Sequence, residues 1–285
     1  MPMQLGVLVI HGMGSQEPGF SGGLRAAVSR RLGARAERIT WQEVYWADAL
    51  EVRERALWDV MLEAKQKDGT PLPLGWKPVR EFVVHNFSDA IAYHRDQAAS
   101  AYDDVHVRIS SRVGALKRAL GDPLAPIVVV AHSLGGHMMS NDIWDRQHGI
   151  RAGAVALEPI PTLAAMVTFG CNIPLFSLAY PVAKPIALPG AGVTNAGVVA
   201  AARWLNFLDH DDVLGWPLVP LYVRNVAQLD AAEQATVALI EEYAINAGSA
   251  ATSWNPASHS AYWTDDDFIG PVAGYFGGLL DALDA

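Results

Sequence analysis

The segment "VVVAHSLGGHMMSN", residues 128–141, decides how this chain is expected to fold. Its consecutive valines predict a strand that is buried on both faces, and the residues after Ser133 are compatible with a helix. Ala131 and Gly135, two positions before and after the serine, are small enough for a sharp strand-to-helix turn. The pattern predicts a nucleophilic serine on a strained turn, and the simpler alternative is a serine that only caps the helix.

Short apolar segments alternate with longer stretches of helical periodicity through the rest of the chain. Helices are predicted at residues 21–32 and 102–120, with a helical C-terminus. This alternation indicates right-handed crossovers and a mainly parallel sheet flanked by helices, which is an α/β fold. The segments predicted as strands are 5–10, 126–131, 163–169, 221–226 and 243–247.

Composition narrows the class of protein. The 285 residues are 51% hydrophobic and 18% charged, so one large α/β domain spanning 1–285 can form an extensive core. The formal net charge of −9 argues against binding to nucleic acid, because phosphate backbones would be repelled. Cys171 is the only cysteine, which excludes an internal disulfide. The opening residues do not resemble a secretory leader, and a cytoplasmic location is expected.

Two segments extend beyond the minimal α/β pattern. A pair of predicted helices at 47–67 and 77–99 forms a helical insertion of about 47–99. Residues 172–202, rich in Pro, Gly and Ala, are predicted to form an apolar lid or pocket wall in which Phe176 and Tyr180 bind substrate. An uncharged run at 159–183 is interrupted by prolines and predicts a strand followed by a loop, which leaves contact with a membrane surface as an open alternative.

The sequence "HGMG", residues 11–14, follows the first predicted strand. A tetrahedral intermediate requires backbone N–H donors, one from the residue after the nucleophile and one from an early strand-to-helix loop. Leu134 and Met13 are therefore the predicted donors of an oxyanion hole. An ordinary glycine-rich turn is the alternative, and His11 is expected to hold this loop in place rather than to act as a base.

A general base and its orienting acid are predicted from two later segments. The segment "NFLDHDDVLGWPLVPL", residues 206–221, supplies three chemically suitable carboxylates, Asp209, Asp211 and Asp212. His259 lies in "SWNPASHSAYW", residues 253–263, after the last predicted strand, and it follows both the serine and the acidic segment. A solvated acidic loop and a surface histidine are the alternative interpretations.

These motifs, in the order serine, acid, histidine, resemble the α/β-hydrolase superfamily. Together with "VTFGCNIPLF" they are similar to its lipase/esterase-like branch, including GPI-inositol-deacylase-type serine hydrolases. The resemblance implies an α/β-hydrolase fold. It selects Asp212 as the acid when the following Pro-Leu pair is matched to Pro220 and Leu221, whereas an Asp-x-Val match selects Asp211. Cys171 and Asn172 replace a Ser-Pro pair that is common in this branch, which makes the local loop geometry atypical.

The sequence thus predicts a serine hydrolase that cleaves carboxylic esters through an acyl-enzyme intermediate. Ser133, His259 and Asp212 would form the triad, and the substrate would carry an apolar acyl or alcohol group. Neither a metal nor an organic cofactor is expected. The alternatives are a thioesterase, an amidase or an acyltransferase with the same triad, and a catalytically silent scaffold that binds a small ligand or a protein.

Overall fold

A six-stranded parallel β-sheet forms the centre of the computed structural model, which describes residues 4–14, 16–93, 100–152, 155–248 and 256–285. The strand order is β2-β1-β3-β6-β7-β8, and the short strands β4 and β5 form a separate antiparallel pair. The strands are β1 (Leu5–Ile10), β2 (Ile39–Val44), β3 (Ile127–His132), β4 (Arg151–Ala152), β5 (Val155–Ala156), β6 (Leu163–Phe169), β7 (Trp204–Asp209) and β8 (Ile240–Ile245).

Helices cover both faces of this sheet. The longest are α4 and α10, and 3₁₀ turns occupy Gly33–Arg38, Ser177–Ala179, Val226–Gln228 and Pro256–Thr264. The α-helices are α1 (Gly22–Leu32), α2 (Asp48–Leu62), α3 (Lys77–Ala92), α4 (Ala101–Leu120), α5 (Leu134–Gln147), α6 (Ile173–Phe176), α7 (Ala196–Ala201), α8 (Val219–Val223), α9 (Ala231–Val237) and α10 (Asp266–Asp284).

The core consists of two layers, one on each face of the sheet. Along β1, Leu8 and Ile10 belong to the layer formed with α4 and α5, whereas Val7 and Val9 belong to the layer formed with α1 and α10. All residues of β1, β3 and β6 are buried. This two-sided burial explains why these strands are continuous apolar runs in the sequence.

Helix α4 illustrates how local chemistry sets the ends of an element. The Ser100 hydroxyl accepts a hydrogen bond from the Asp103 amide, which satisfies one of the unpaired donors of the first turn. Acidic residues lie in the first turn and basic residues in the last turn, in agreement with the helix dipole. Gly121 ends the helix with a φ of 64°, a conformation that glycine adopts without steric cost.

The predicted α/β architecture, a mainly parallel sheet flanked by helices with a helical insertion, is confirmed. The insertion contains α2 and α3, and the predicted helical residues 94–99 lie outside the described residues. The uncharged run 159–183 contains strand β6 and then loop residues with the short helix α6, as predicted. Among the helices in the described ranges, none combines the length and the apolar character needed to cross a bilayer.

Two strand predictions require correction, and two strands of the central sheet were missed. Residues 221–226 do not form a strand, because Pro220 opens helix α8 and removes a backbone donor that a strand would need. The last strand lies at Ile240–Ile245, earlier than the predicted 243–247. Strands β2 and β7 were not predicted, since both carry polar residues within the run, such as Gln42 and Asn206.

Gly135 allows α5 to start directly against β1. A Cβ atom added at this position would lie 2.4 Å from the carbonyl oxygen of His11. We expect Gly135→Ala to lower the free energy of unfolding by about 1–3 kcal/mol, because strand and helix must separate. The exposed Gly274 of α10 has open space around it, so Gly274→Ala should raise this free energy by about 0.5–1 kcal/mol. Denaturant unfolding of both variants checks the pair, and equal effects would contradict the steric argument.

Candidate active site

Ser133 lies on the turn between β3 and α5 with a strained backbone. Its φ of 52° and ψ of −126° fall outside the region that residues with a side chain normally adopt. The Ser133 amide donates to the Phe169 carbonyl at 3.0 Å, which ties the turn to the neighbouring strand β6. A Cβ at Gly12 would lie 2.6 Å from Ser133 Cβ, so the loop after β1 approaches the serine as closely as glycine allows.

The structure brings Ser133, His259 and Asp212 into one hydrogen-bonded chain. His259 Nε2 lies 2.8 Å from Ser133 Oγ. On the other side of the ring, Nδ1 lies 2.9 Å from each carboxylate oxygen of Asp212. The three residues follow β3, β7 and β8, and the carboxyl ends of parallel strands meet at one edge of the sheet.

Asp212 is surrounded by hydrogen-bond donors. The Leu214 amide donates to Oδ1 and the Tyr262 hydroxyl donates to Oδ2, both at 2.9 Å. Burial raises the pKa of Asp212, but the hydrogen bond and charge of His259, together with these two donors, outweigh burial and hold the pKa below its ordinary value. The carboxylate is therefore ionised and available to stabilise a positively charged imidazole.

Asp211, the alternative acid, does not contact His259. Its carboxylate lies 3.3 Å from Nε2 of the exposed His210, and its amide donates to Asp209 Oδ1 at 2.7 Å. A cation could be coordinated by the side chains of Asp209, His210 and Asp211, which lie close together. Asp209, however, already accepts hydrogen bonds from the Asp211 and Ala247 amides. This acidic cluster is a structural turn, and the register of the loop directs Asp212 towards the histidine.

His132, which the sequence analysis did not single out, supports the histidine loop. Its Nε2 donates to the His259 carbonyl at 2.8 Å, and the two rings lie 4.9 Å apart. Burial lowers the pKa of His132 to about 3, and the neighbouring His259 adds to this shift. A neutral ring therefore holds the His259 backbone in place. Its position directly before the serine was the only available signal.

His11 anchors the loop that follows β1. Its Nε2 accepts from the Trp46 amide at 3.1 Å, its Nδ1 donates to the Gly12 carbonyl at 2.8 Å, and its own carbonyl accepts from the Trp46 indole at 3.0 Å. Burial lowers the pKa of His11 to about 4, so the ring is neutral. These contacts agree with the expected role of His11 as a residue that holds the loop.

Asn172 contacts the turn from the opposite side. In the amide orientation that satisfies both neighbours, its nitrogen donates to the Ser133 carbonyl at 3.1 Å and its oxygen accepts from the Leu134 amide at 3.3 Å. The predicted donor Leu134 thus has a weak internal partner, while Met13 is partly buried against the core. Beside Asn172, the fully buried Cys171 is a packing residue, since burial raises the pKa of its thiol to about 12.

The predicted substrate-binding residues lie near the first turns of α5. Phe176 stacks on His137 with ring centroids 4.7 Å apart. Tyr180 and His137 line a cavity of about 40 Å³, and Tyr180 is 46% exposed. This cavity holds little more than a water molecule, so an acyl chain would enter this segment only if an aromatic side chain moved.

Comparisons with solved structures give distant similarities. No model of a known protein family and no curated protein matches the chain. Among solved structures, it is similar to a cutinase-like protein from Cryptococcus sp., with 10% identity, a TM-score of 0.43, and coverage of 97% of this chain and 95% of that chain. It is also similar to ClbQ from the colibactin NRPS/PKS pathway, with 12% identity, a TM-score of 0.39, and coverage of 99% and 98%.

These scores are too low to carry an argument about function. The narrower resemblance to GPI-inositol-deacylase-type hydrolases stays a prediction, as do the single domain, the cytoplasmic location and the expected partners.

Proposed function

We propose that this protein is a serine hydrolase that cleaves carboxylic esters through an acyl-enzyme intermediate. The observation that supports this proposal is the continuous hydrogen-bonded chain from Ser133 Oγ through the His259 ring to Asp212, with distances of 2.8 and 2.9 Å. A serine that only caps a helix would need neither a base at its hydroxyl nor a strained backbone. A fully buried acid behind the base serves the same chemistry.

In the first half of the proposed reaction, Ser133 Oγ attacks the carbonyl carbon of the ester while its proton passes to His259 Nε2. The imidazolium is stabilised by Asp212, which keeps the Nδ1 proton in place. Collapse of the tetrahedral intermediate breaks the bond to the alcohol oxygen, which takes the proton from Nε2. The alcohol leaves, and the acyl group remains on the serine.

In the second half, water replaces the alcohol and His259 again acts as the base. Water attacks the acyl carbon, its proton passes to Nε2, and collapse of the second intermediate returns that proton to Ser133 Oγ as the carboxylic acid leaves. All protons and atoms are accounted for by these residues and water.

The developing oxyanion would be stabilised by the amides of Met13 and Leu134. In the free protein the Leu134 amide faces the Asn172 oxygen at 3.3 Å, which is a long and weak hydrogen bond. A negatively charged oxygen is a stronger acceptor than a neutral amide oxygen. The intermediate would therefore take over this donor more readily than the ground-state substrate, which favours the transition state.

The nucleophile is tested with an active-site-directed fluorophosphonate and a nitrophenyl ester. We expect the label on Ser133, and Ser133→Ala should lower kcat on the order of 10⁴-fold or more while the protein stays folded. Ser111→Ala, which changes an exposed serine of α4, is the matched control and should keep full activity. Unchanged turnover in Ser133→Ala would contradict the proposal and favour a binding scaffold.

The two neighbouring acids are separated by paired amide substitutions. Asp212→Asn should lower kcat roughly 10³–10⁴-fold, because the imidazole loses the partner that fixes its tautomer. Asp211→Asn should change kcat far less, since its carboxylate faces His210 instead. Steady-state kinetics of both variants provide the measurement, and a larger loss in Asp211→Asn would move the triad acid by one position.

The proposed substrate carries an apolar acyl group next to residues 172–202. Each methylene buried there should contribute up to ~0.8 kcal/mol, so kcat/KM should rise from acetyl towards medium-chain esters and then fall. Phe176→Ala removes the ring packed on His137 and should move the optimum to longer chains. Leu178→Ala, at a side chain that is 88% exposed, should leave it unchanged. A profile independent of chain length in wild type and Phe176→Ala would exclude this segment from the acyl site.

A further inference from the structure

We propose that Asp89, in the helical insertion, is a positioning residue that orients the oxyanion loop, residues 11–14, by holding the amide of Gly14. This inference rests on the proposed function of Ser133. It gives the helical insertion a part in catalysis.

The contact joins residues distant in sequence. The Gly14 amide donates to Asp89 Oδ2 at 2.9 Å, and only 3% of the surface of Asp89 is exposed. Gly14 has a φ of 87°, so the chain turns sharply at the residue whose amide is held. The insertion thereby reaches the end of the loop that passes next to the nucleophile.

This single hydrogen bond constrains the donor next to Ser133. The peptide between Met13 and Gly14 is planar, so fixing the Gly14 N–H also fixes the plane of that peptide and restricts the rotation of Met13. The other end of the loop is held by His11, which is bonded to Trp46. With both ends held, the direction of the Met13 amide is set before substrate binds, and such preorganisation is the basis of oxyanion stabilisation.

The Asp89 carboxyl lies next to the buried Glu54 of α2, close enough for the two to share a hydrogen bond. Two carboxyl groups form such a bond only while they share a proton. Glu54 has further contacts with α3: His85 Nδ1 lies at 3.2 Å, and the Ser88 hydroxyl, whose one proton is shared with the Val84 carbonyl, lies at 2.8 Å. Since Glu54 has these other donors, Asp89 is the group that holds the shared proton, donating it to Glu54 while its second oxygen accepts from Gly14.

Burial raises the pKa of Asp89 to about 8, and the hydrogen bond and charge of Glu54 add to this shift, against the opposing effect of the Gly14 amide. Within the described residues, Glu54 on α2 is the charged group that shifts the pKa of Asp89. His85 of α3 contacts Glu54 at 3.2 Å. Below about pH 8, the shared proton holds the side chains of Asp89 and Glu54 together. Above it two carboxylates face each other in a buried site, and their repulsion pushes Asp89 and α3 away from α2, which disturbs the oxyanion loop.

The first test reads the loop directly and requires no catalytic activity. In ¹⁵N-labelled protein, we expect the Gly14 amide resonance to titrate with a midpoint near pH 8. Asp89→Asn keeps an acceptor for Gly14 and a donor for Glu54 but has no proton to lose, so the titration should disappear. Asp68→Asn makes the same change at an exposed turn of the insertion and should retain the titration.

The second test measures kcat and KM against pH with a nitrophenyl ester. Wild type and Asp68→Asn should lose kcat above about pH 8, whereas Asp89→Asn should not show this alkaline fall. Asp89→Leu, which removes the acceptor, should lower kcat on the order of tenfold to a hundredfold at all pH values with little change in KM. The conservative Asp89→Asn should restore most of that loss. If Asp89→Leu does not fold, the dependence of kcat on alkaline pH in Asp89→Asn still tests the positioning role of Asp89.

The outcomes separate this inference from the proposed function. If Ser133 is labelled and the ester is hydrolysed, but Asp89→Asn keeps the wild-type alkaline fall or the Gly14 amide does not titrate, Asp89 has no positioning role. If wild type neither hydrolyses the ester nor takes the label, the proposed function fails, and the role of Asp89 in catalysis fails with it.

Discussion

The close approach of the β1 loop to the turn at Ser133 is the constraint on which the rest of the site depends. A side chain at Gly12 would collide with Ser133, and one at Gly135 would collide with the His11 carbonyl. Because these backbones are in contact, the serine hydroxyl lies beside the loop that follows β1. Hydrogen bonds of His11 and Asp89 hold the loop after β1, and those of Asn172 hold the turn at Ser133. Elements far apart in the sequence therefore determine the geometry around Ser133 Oγ.

The sequence predicted those parts of the molecule that local chemistry determines. Fully buried strands such as β1 and β6 are continuous apolar runs, and the small residues around Ser133 are a direct steric requirement of the turn. The order of serine, acid and histidine then allowed three distant segments to be assigned to one edge of the sheet, where the structure brings Ser133, Asp212 and His259 together. The choice of Asp212 depended on a family resemblance, because composition alone could not separate it from Asp211.

Features set by tertiary contacts were not predicted. Strand β7 was missed because Asn206 interrupts its apolar pattern, yet in the sheet its side chain is satisfied by Thr168, Trp216 and Glu242. Residues 221–226 have the composition of a strand, but Pro220 starts a helix there. The hydrogen bond between Asp89 and Gly14 joins two residues that are far apart in the sequence, and no sequence pattern relates them. An aspartate within a helical pattern is usually exposed to solvent.

The central position of β1 also has a consequence for how the chain folds during synthesis. This strand precedes both of its neighbours in the sequence, and it pairs with β2 on one side and with β3 on the other, where Gly6 lies opposite Ile127. Until β3 has been synthesised, one edge of a wholly apolar strand lacks its native neighbour. Non-local parallel pairing of this kind slows folding and exposes aggregation-prone surface. The same strand that brings loop 11–14 to the serine is therefore open to non-native pairing on that edge until β3 has been synthesised.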